Sequence, residues 1–132
     1  MKGPIHVSGK RKRSIARATL RAGKGIIRVN HLNLQAMNHY LPKMKILEPL
    51  LLAGAVAGTV NIDVTVRGGG IMSQAEASRL VIARALAQFN KKLEKPFQEY
   101  DRHLLVADVR RKETKKPNRH GKARSKTQKS YR

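Results

Sequence analysis

Thr59-Val60-Asn61-Ile62-Asp63-Val64-Thr65-Val66 runs into Arg67-Gly68-Gly69-Gly70 and then Ser73-Gln74-Ala75-Glu76. The first eight residues alternate without a break. Val60, Ile62, Val64 and Val66 fall on one face, and Thr59, Asn61, Asp63 and Thr65 on the other. A period of two is the mark of a strand with one buried and one wet face. The glycines predict a tight turn, and Ser73 with Glu76 has the S-x-x-E spacing of a capping box, so a helix is expected from Ser73 to about Asn90. Wound at about 100° per residue, Ala75, Ile82, Leu86 and Phe89 share one stripe. Glu76, Arg84, Gln88 and Lys91 lie opposite.

Working outward, Ile5 to Val7 reads as a short strand ending at the turn-like Ser8-Gly9. Ser14 to Arg21 alternates, with Ala16, Ala18 and Leu20 on one side and Arg17, Thr19 and Arg21 on the other. Ala22-Gly23-Lys24-Gly25 predicts a turn, and Ile26 to Val29 the returning arm of a hairpin. Asn30 to Asn33 is rich in turn residues. Leu41 to Ala53 is helical in pattern but interrupted by Pro49, which predicts a kink or a fresh helix start, with Gly54 as the stop. Phe97 to Asp101 allows another helical turn, and Leu104 to Val106 a last apolar patch. Strands precede helices with no regular βαβα alternation, so the expected class is α+β: a single domain with a β-sheet packed by helices.

Charge divides the chain differently. Its 132 residues carry 29 Lys and Arg against 8 Asp and Glu, a net charge of +21. Met1 to Arg28 holds nine basic residues and no acidic one; Val29 to Val109 holds nine against seven; Arg110 to Arg132 holds eleven against one. The last segment has no Leu, Ile, Val, Phe or Met, so it buries too little to offset the entropy of ordering and is expected to be a disordered tail when alone. The expected partition is therefore a globular part over 1–108 and a basic tail over 109–132. Such charge persists where a polyanion neutralises it, with nucleic acid the first candidate and an anionic membrane surface the second. There is no Cys, no signal-peptide core, and the longest apolar run, Leu50 to Val60, is half the length of a membrane span. A soluble intracellular protein is expected.

The motifs for catalysis are missing. The glycine run lacks the Gly-Lys-Ser/Thr of a phosphate loop and the G-x-G-x-x-G of a dinucleotide site. Its readings are a strand-to-helix turn or close backbone approach to an RNA phosphate, assisted by Arg67 and the helix N-terminus. His6, His31, His39, His103 and His120 show no metal-ligand spacing, and His31 and His39 are expected at the surface or on phosphates. The carboxylates form no acid–base pair, with Asp63 solvated or paired to Arg. Three Tyr, two Phe and no Trp cannot build a base-stacking platform, so contact through phosphate and shape is expected. The residues for it are Lys10, Arg11, Lys12, Arg13, Arg17 and Arg21, then Arg67 with Gly68, Gly69 and Gly70. In the tail they are Arg110, Arg111, Lys112, Lys115, Lys116, Arg119, Lys122, Arg124 and Lys126. No catalytic residue, metal or cofactor is expected.

Three segments together resemble one family. Gly9-Lys10-Arg11-Lys12-Arg13-Ser14-Ile15-Ala16-Arg17-Ala18 is the first. Val66 to Gly70, Gln74 to Ala77 and Ile82 to Leu86 make the second. Lys115 to Asn118, Lys122 to Arg124 and Gln128 to Arg132 make the third. Their order and spacing are similar to those of small ribosomal subunit protein nine, and the Ser-Tyr-Arg ending resembles its archaeal and eukaryotic members. The family usually has Gly where Ser73 stands; Ser73 is a competent N-cap, so the fold is expected to survive. The resemblance implies an α+β domain with a left-handed βαβ crossover, opposite to the general handedness rule. It implies binding to small-subunit rRNA in the head of the subunit, beside neighbouring head proteins, in the cytoplasmic ribosome. It also implies a tail whose end, Lys129, Ser130, Tyr131 and Arg132, approaches P-site tRNA. Some twenty-three extended residues span about 75 Å, enough for that reach. Two other classes compete: a free-standing DNA- or RNA-compacting protein, which composition allows, and a nucleotide-using enzyme at Gly68 to Gly70, for which no Lys or carboxylate constellation is present.

Overall fold

In a computed structural model, which describes residues 3–124 and Ser130, the alternating segment forms the centre of a five-stranded sheet. The strands are β1 (Ile5–Arg11), β2 (Ser14–Ala22), β3 (Ile27–Val29), β4 (Leu32–Asn33) and β5 (Val60–Arg67), in the order β1-β2-β5-β3-β4. Val60, Ile62, Val64 and Val66 are all buried, while Asp63, Thr65 and Arg67 are exposed. The alternation of β2 holds likewise, with Ala16, Ala18 and Leu20 inward and Arg17 and Arg21 outward.

The hairpins differ from expectation. β1 runs on through Ser8 and Gly9 to Arg11 and pairs with β2, Arg11 opposite Ser14, around a two-residue turn at Lys12-Arg13. Gly9 serves packing rather than turning: a Cβ there would lie 2.8 Å from Leu80 Cδ2, so its absence lets a helix sit close to the strand. β2 and β3 do not pair. β3 runs antiparallel to β2, as the reversal at Gly23 to Gly25 implies, but β5 fills the slot between them, antiparallel to β2 and parallel to β3. The turn amides serve β5 instead, Gly23 and Gly25 donating to the carbonyls of Thr59 and Val60 at 2.9 and 3.0 Å. A chain reversal is local; the identity of the neighbouring strand is not. β3, α1 (Tyr40–Ala53) and β5 thus make a βαβ crossover that the order of elements alone does not suggest.

The Asn30-His31 turn joins β3 to β4 with both residues at positive φ. Asn30 also lengthens the parallel ladder. Its side chain accepts from Val66 N at 2.9 Å and donates to Val66 O at 3.2 Å, as a peptide group would.

α1 is one helix with Pro49 inside it, so no fresh start occurs there. Pro49 removes one rung of the helical ladder, but Ile46, Leu50 and Ala53 on either side are buried in the core and hold the helix together. α2 (Ile71–Phe89) begins two residues before Ser73, with Gly70 as N-cap and no side-chain cap. Ser73 therefore stands in the first turn, and Glu76 closes no capping box; it holds Arg11 at 2.6 Å. α2 packs on β1, β2 and β5, and α1 packs on α2, so every residue from Ala77 to Ala83 is buried. Within α3 (Glu94–Tyr100) Phe97 is fully buried, as is Leu104 beyond it.

Arg79 is buried among these helices. It meets Glu48 of α1 at 2.5 Å and donates twice to Asp101 Oδ2, at 3.1 and 3.0 Å. Burial raises the Asp101 carboxyl, but the His103 amide and Arg79 outweigh it and hold the group below its ordinary value. A depressed carboxylate contributes stability above its unfolded value that is lost as pH falls through the folded one. Asp101→Asn should therefore cost about 2 kcal/mol at pH 7, less than for a fully buried pair because Asp101 is partly exposed. Urea unfolding over a pH series should show the gap between variant and wild type narrowing below about pH 4.

Candidate nucleic-acid interface

The sheet face turned away from α2 carries no helix among the described residues. The pleat sends His6, Ser8 and Lys10 of β1 outward, with Ile15, Arg17, Thr19 and Arg21 of β2, Arg67 of β5 and Arg28 of β3. The register sets Lys10 and Arg67 on either side of Ile15, and Arg17 between Ser8 and Thr65. Asp63 is the one carboxylate of the five strands on this face, 4.0 Å from Arg28. The strands contain no Phe, Tyr or Trp, so the face offers phosphate contacts and no stacking surface.

At the end of the sheet lies a cleft of about 540 Å³. Its walls come from three places in the chain: Lys12 and Arg13 at the β1–β2 turn, Gly69, Gly70 and Ser73 at the start of α2, and Arg110, Arg111 and Lys112. Five cations line it and, among the described residues, no carboxylate does. The segments that stand apart in the sequence as separate basic or glycine-rich stretches meet here.

The glycine turn has an internal explanation in part. Gly68 and Gly69 have φ of 78° and 67°, a region costly for other residues. A Cβ on Gly68 would lie 2.7 Å from Arg13 O, and one on Gly69 would collide with Ser14 Oγ. Both are pressed against the hairpin, where the buried Ser14 hydroxyl donates to Gly68 O at 2.8 Å. Gly70 has ordinary φ, and a Cβ there would meet nothing within 4 Å, so it alone of the three faces open space.

Arg11 belongs to the domain rather than to its charged surface. It bonds Glu76 and lies 3.4 Å from Asp108, whose carboxylate also binds Arg110. The Arg110 side chain and amide hold the Asp108 carboxyl well below the usual carboxylate range. Farther on, residues 113–124 form a loop in which Lys116 N donates to Lys122 O at 2.9 Å and Arg124 and Lys116 bind Glu113. Arg124 and Lys116 draw the Glu113 carboxyl down to about 2. Lys115 donates to the carbonyls of Arg119 and Gly121. Lys112 has Lys122 beside it, then Arg13, and the like charges lower its pKa. Lys126, Lys129, Tyr131 and Arg132 lie outside the described residues; Ser130 is exposed.

Among the described residues, six of the eight side-chain carboxylates are thus engaged by cations of the chain: Glu48, Asp63, Glu76, Asp101, Asp108 and Glu113. Among the described residues Lys10, Lys12, Arg13, Arg17, Arg21, Arg67, Arg111, Lys112, Arg119 and Lys122 have no carboxylate partner. The described residues contain no group of three or more metal-ligating side chains, and no helix is long and apolar enough to cross a membrane. The structural parts played by Arg11, Arg79 and Asp108 are not legible in the sequence. For Arg79 the one signal is a lone charged residue within the stretch Ala77 to Ala83.

The sequence profile described as "Ribosomal protein S9/S16" matches residues 9–132. The chain belongs to this family. Among relatives, the "Small ribosomal subunit protein uS9" of Methanococcus maripaludis strain C7 is 45% identical over 131 residues, covering 97% of this chain and 98% of its own. The protein of the same name from Desulfurococcus amylolyticus is 52% identical over 127 residues, covering 95% and 90%. The family is a structural component of the small ribosomal subunit and not an enzymatic one. The archaeal relatives agree with the archaeal-type ending.

The glycine geometry makes a paired prediction. Gly69→Ala should destabilise the domain by about 2 kcal/mol or more, from left-handed backbone strain plus displacement of Ser14. Gly70→Ala should stay within about 0.5 kcal/mol of wild type. Thermal melts of the two variants check both.

Proposed function

We propose that the chain binds small-subunit rRNA in the head of the ribosome through its phosphate backbone, using the open sheet face, the cleft and the tail. The observation that carries this reading is the group of cations without carboxylate partners on the open sheet face and around the cleft, where no Phe, Tyr or Trp is present to stack on bases. Internal carboxylates are consumed in holding helices and the tail root, so the remaining charge is left for an external polyanion. Each phosphate contact releases condensed counterions, which favours binding and makes it salt-dependent.

In this reading residues 1–108 are the rRNA-binding domain and 109–132 a tail that follows rRNA, beside neighbouring head proteins of the cytoplasmic ribosome. Lys129 to Arg132 lie near P-site tRNA, where the Arg132 guanidinium pairs with a phosphate. What supports this is the family resemblance of the tail motifs together with the reach of the segment.

Lys12, Arg13 and Arg17 are the residues to replace, since Arg11 also holds the fold. Lys12→Gln, Arg13→Gln and Arg17→Gln together should weaken RNA binding across sequences and lower the slope of log K against log salt by about 2, at ~0.7 per lost single-strand phosphate. Filter binding over a salt series measures it, and an unchanged slope shows these residues to be solvated only. Deleting Lys129 to Arg132 should leave subunit assembly intact and speed P-site tRNA dissociation about tenfold, the equivalent of about 1.4 kcal/mol for one or two charge-assisted bonds. Off-rates from purified small subunits test this, and equal rates at every salt concentration remove the tRNA role.

A further inference from the structure

The cleft at the hairpin tip is closed on one side by the start of the tail. Lys12 and Arg13 line it together with Arg110, Arg111 and Lys112 and with Gly69 and Gly70 of the turn before α2. On the domain side this wall has one carboxylate anchor, Asp108, shared between Arg11 and Arg110. Beyond that anchor no carboxylate among the described residues holds it. Glu113, the next one along the chain, is taken by Lys116 and Arg124, and Lys112 has Lys122 and Arg13 for charged neighbours. Arg110 has Asp108 for a partner, but Lys12, Arg13, Arg111 and Lys112 have no carboxylate, and like charges gathered around about 540 Å³ repel one another.

We propose that this cleft is a binding site for a single phosphodiester group of RNA, and that its occupation is what fixes the tail root against the domain. The inference rests on the reading that the partner is RNA and adds a place and a consequence to it. One oxyanion accepts hydrogen bonds from both walls at once, Lys12 and Arg13 on one side and Arg111 and Lys112 on the other. Such charge-assisted bonds are the strong ones, and the Arg fork suits phosphate geometry. The like-charge repulsion across the cleft then becomes attraction through the anion. The tail would accordingly take its direction from the RNA and not from the protein alone. The volume admits a phosphate with its sugar and leaves room for adjoining nucleotide, and a free phosphate ion shares the chemistry, so the test needs both ligands.

The experiment uses the full chain and limited trypsin digestion. Cleavage after Arg110, Arg111 and Lys112 is followed against cleavage after Lys91 and Lys92, exposed residues outside the proposed RNA-binding surfaces, as internal reference. Chloride is replaced at constant ionic strength by inorganic phosphate in one arm, and a short single-stranded RNA is added in the other. RNA should slow cleavage at residues 110–112 at least fivefold relative to the reference sites, and phosphate should do so at higher concentration. Lys12→Gln with Arg13→Gln should abolish that selective protection, while Lys12→Arg with Arg13→Lys should retain it, with far-UV circular dichroism confirming the fold of both. RNA that binds yet leaves cleavage after residues 110–112 unchanged relative to the reference sites overturns the inference and leaves the RNA reading standing. Protection by phosphate but not by RNA overturns the RNA assignment of the site. Protection that persists in the Gln variant overturns the cleft as its cause. RNA that fails to bind at all, measured separately by filter binding, overturns the underlying reading with it.

Discussion

Burial of one face of β5 is the constraint on which the rest depends. Val60, Ile62, Val64 and Val66 are each at most 4% exposed, and they are buried because α2 lies behind them and β2 and β3 lie beside them. Placing β5 centrally forces the crossover through α1, because β3 must reach the far side of a strand that comes later in the chain. It also brings the end of β5 to the end of the β1–β2 hairpin. The glycine turn and the Lys12-Arg13 turn therefore become neighbours, 2.7 Å being the distance a Cβ on Gly68 would keep from Arg13 O. The cleft follows from the sheet order.

Charge is partitioned by the same architecture. Cations on the inner side meet carboxylates: Arg79 with Glu48 and Asp101, Arg11 with Glu76 and Asp108. A buried charge without a partner costs far more than a solvated one, and four of the eight acids, Glu48, Glu76, Asp101 and Asp108, stand where helices and tail root meet. The outer sheet face and the cleft are left cationic. A chain with +21 overall thus pairs the buried Arg79 and the part-buried Arg11 with carboxylates and leaves most cations of the sheet face and the cleft without one.

Much of this is visible in the residues. The alternation of Ser14 to Arg21 and of Thr59 to Val66 specifies which side chains point outward, and the candidates Arg17, Arg21 and Arg67 stand where the pleat puts them. The departures share a cause. Gly9 suggests a turn because glycine often marks one, whereas it is in a strand and its missing side chain admits Leu80. Ser73 and Glu76 match a capping box, but the partner Glu76 takes, Arg11, is 65 residues away. Gly23 to Gly25 reverse the chain, yet the strand beside β2 is β5.

Sequence by itself determined the periodicities, the segregation of basic residues to the two ends, and the three motifs that mark the ribosomal S9/S16 family. Each is a property of residues close together in the chain, where side-chain alternation and turn chemistry act locally. Only the tertiary structure decided the strand order, the burial of Arg79, the engagement of Arg11 with Glu76 and Asp108, and the meeting of Lys12, Gly70 and Arg111 around one cleft. These depend on contacts between residues tens of positions apart, and such contacts are chosen by which apolar faces can be buried together.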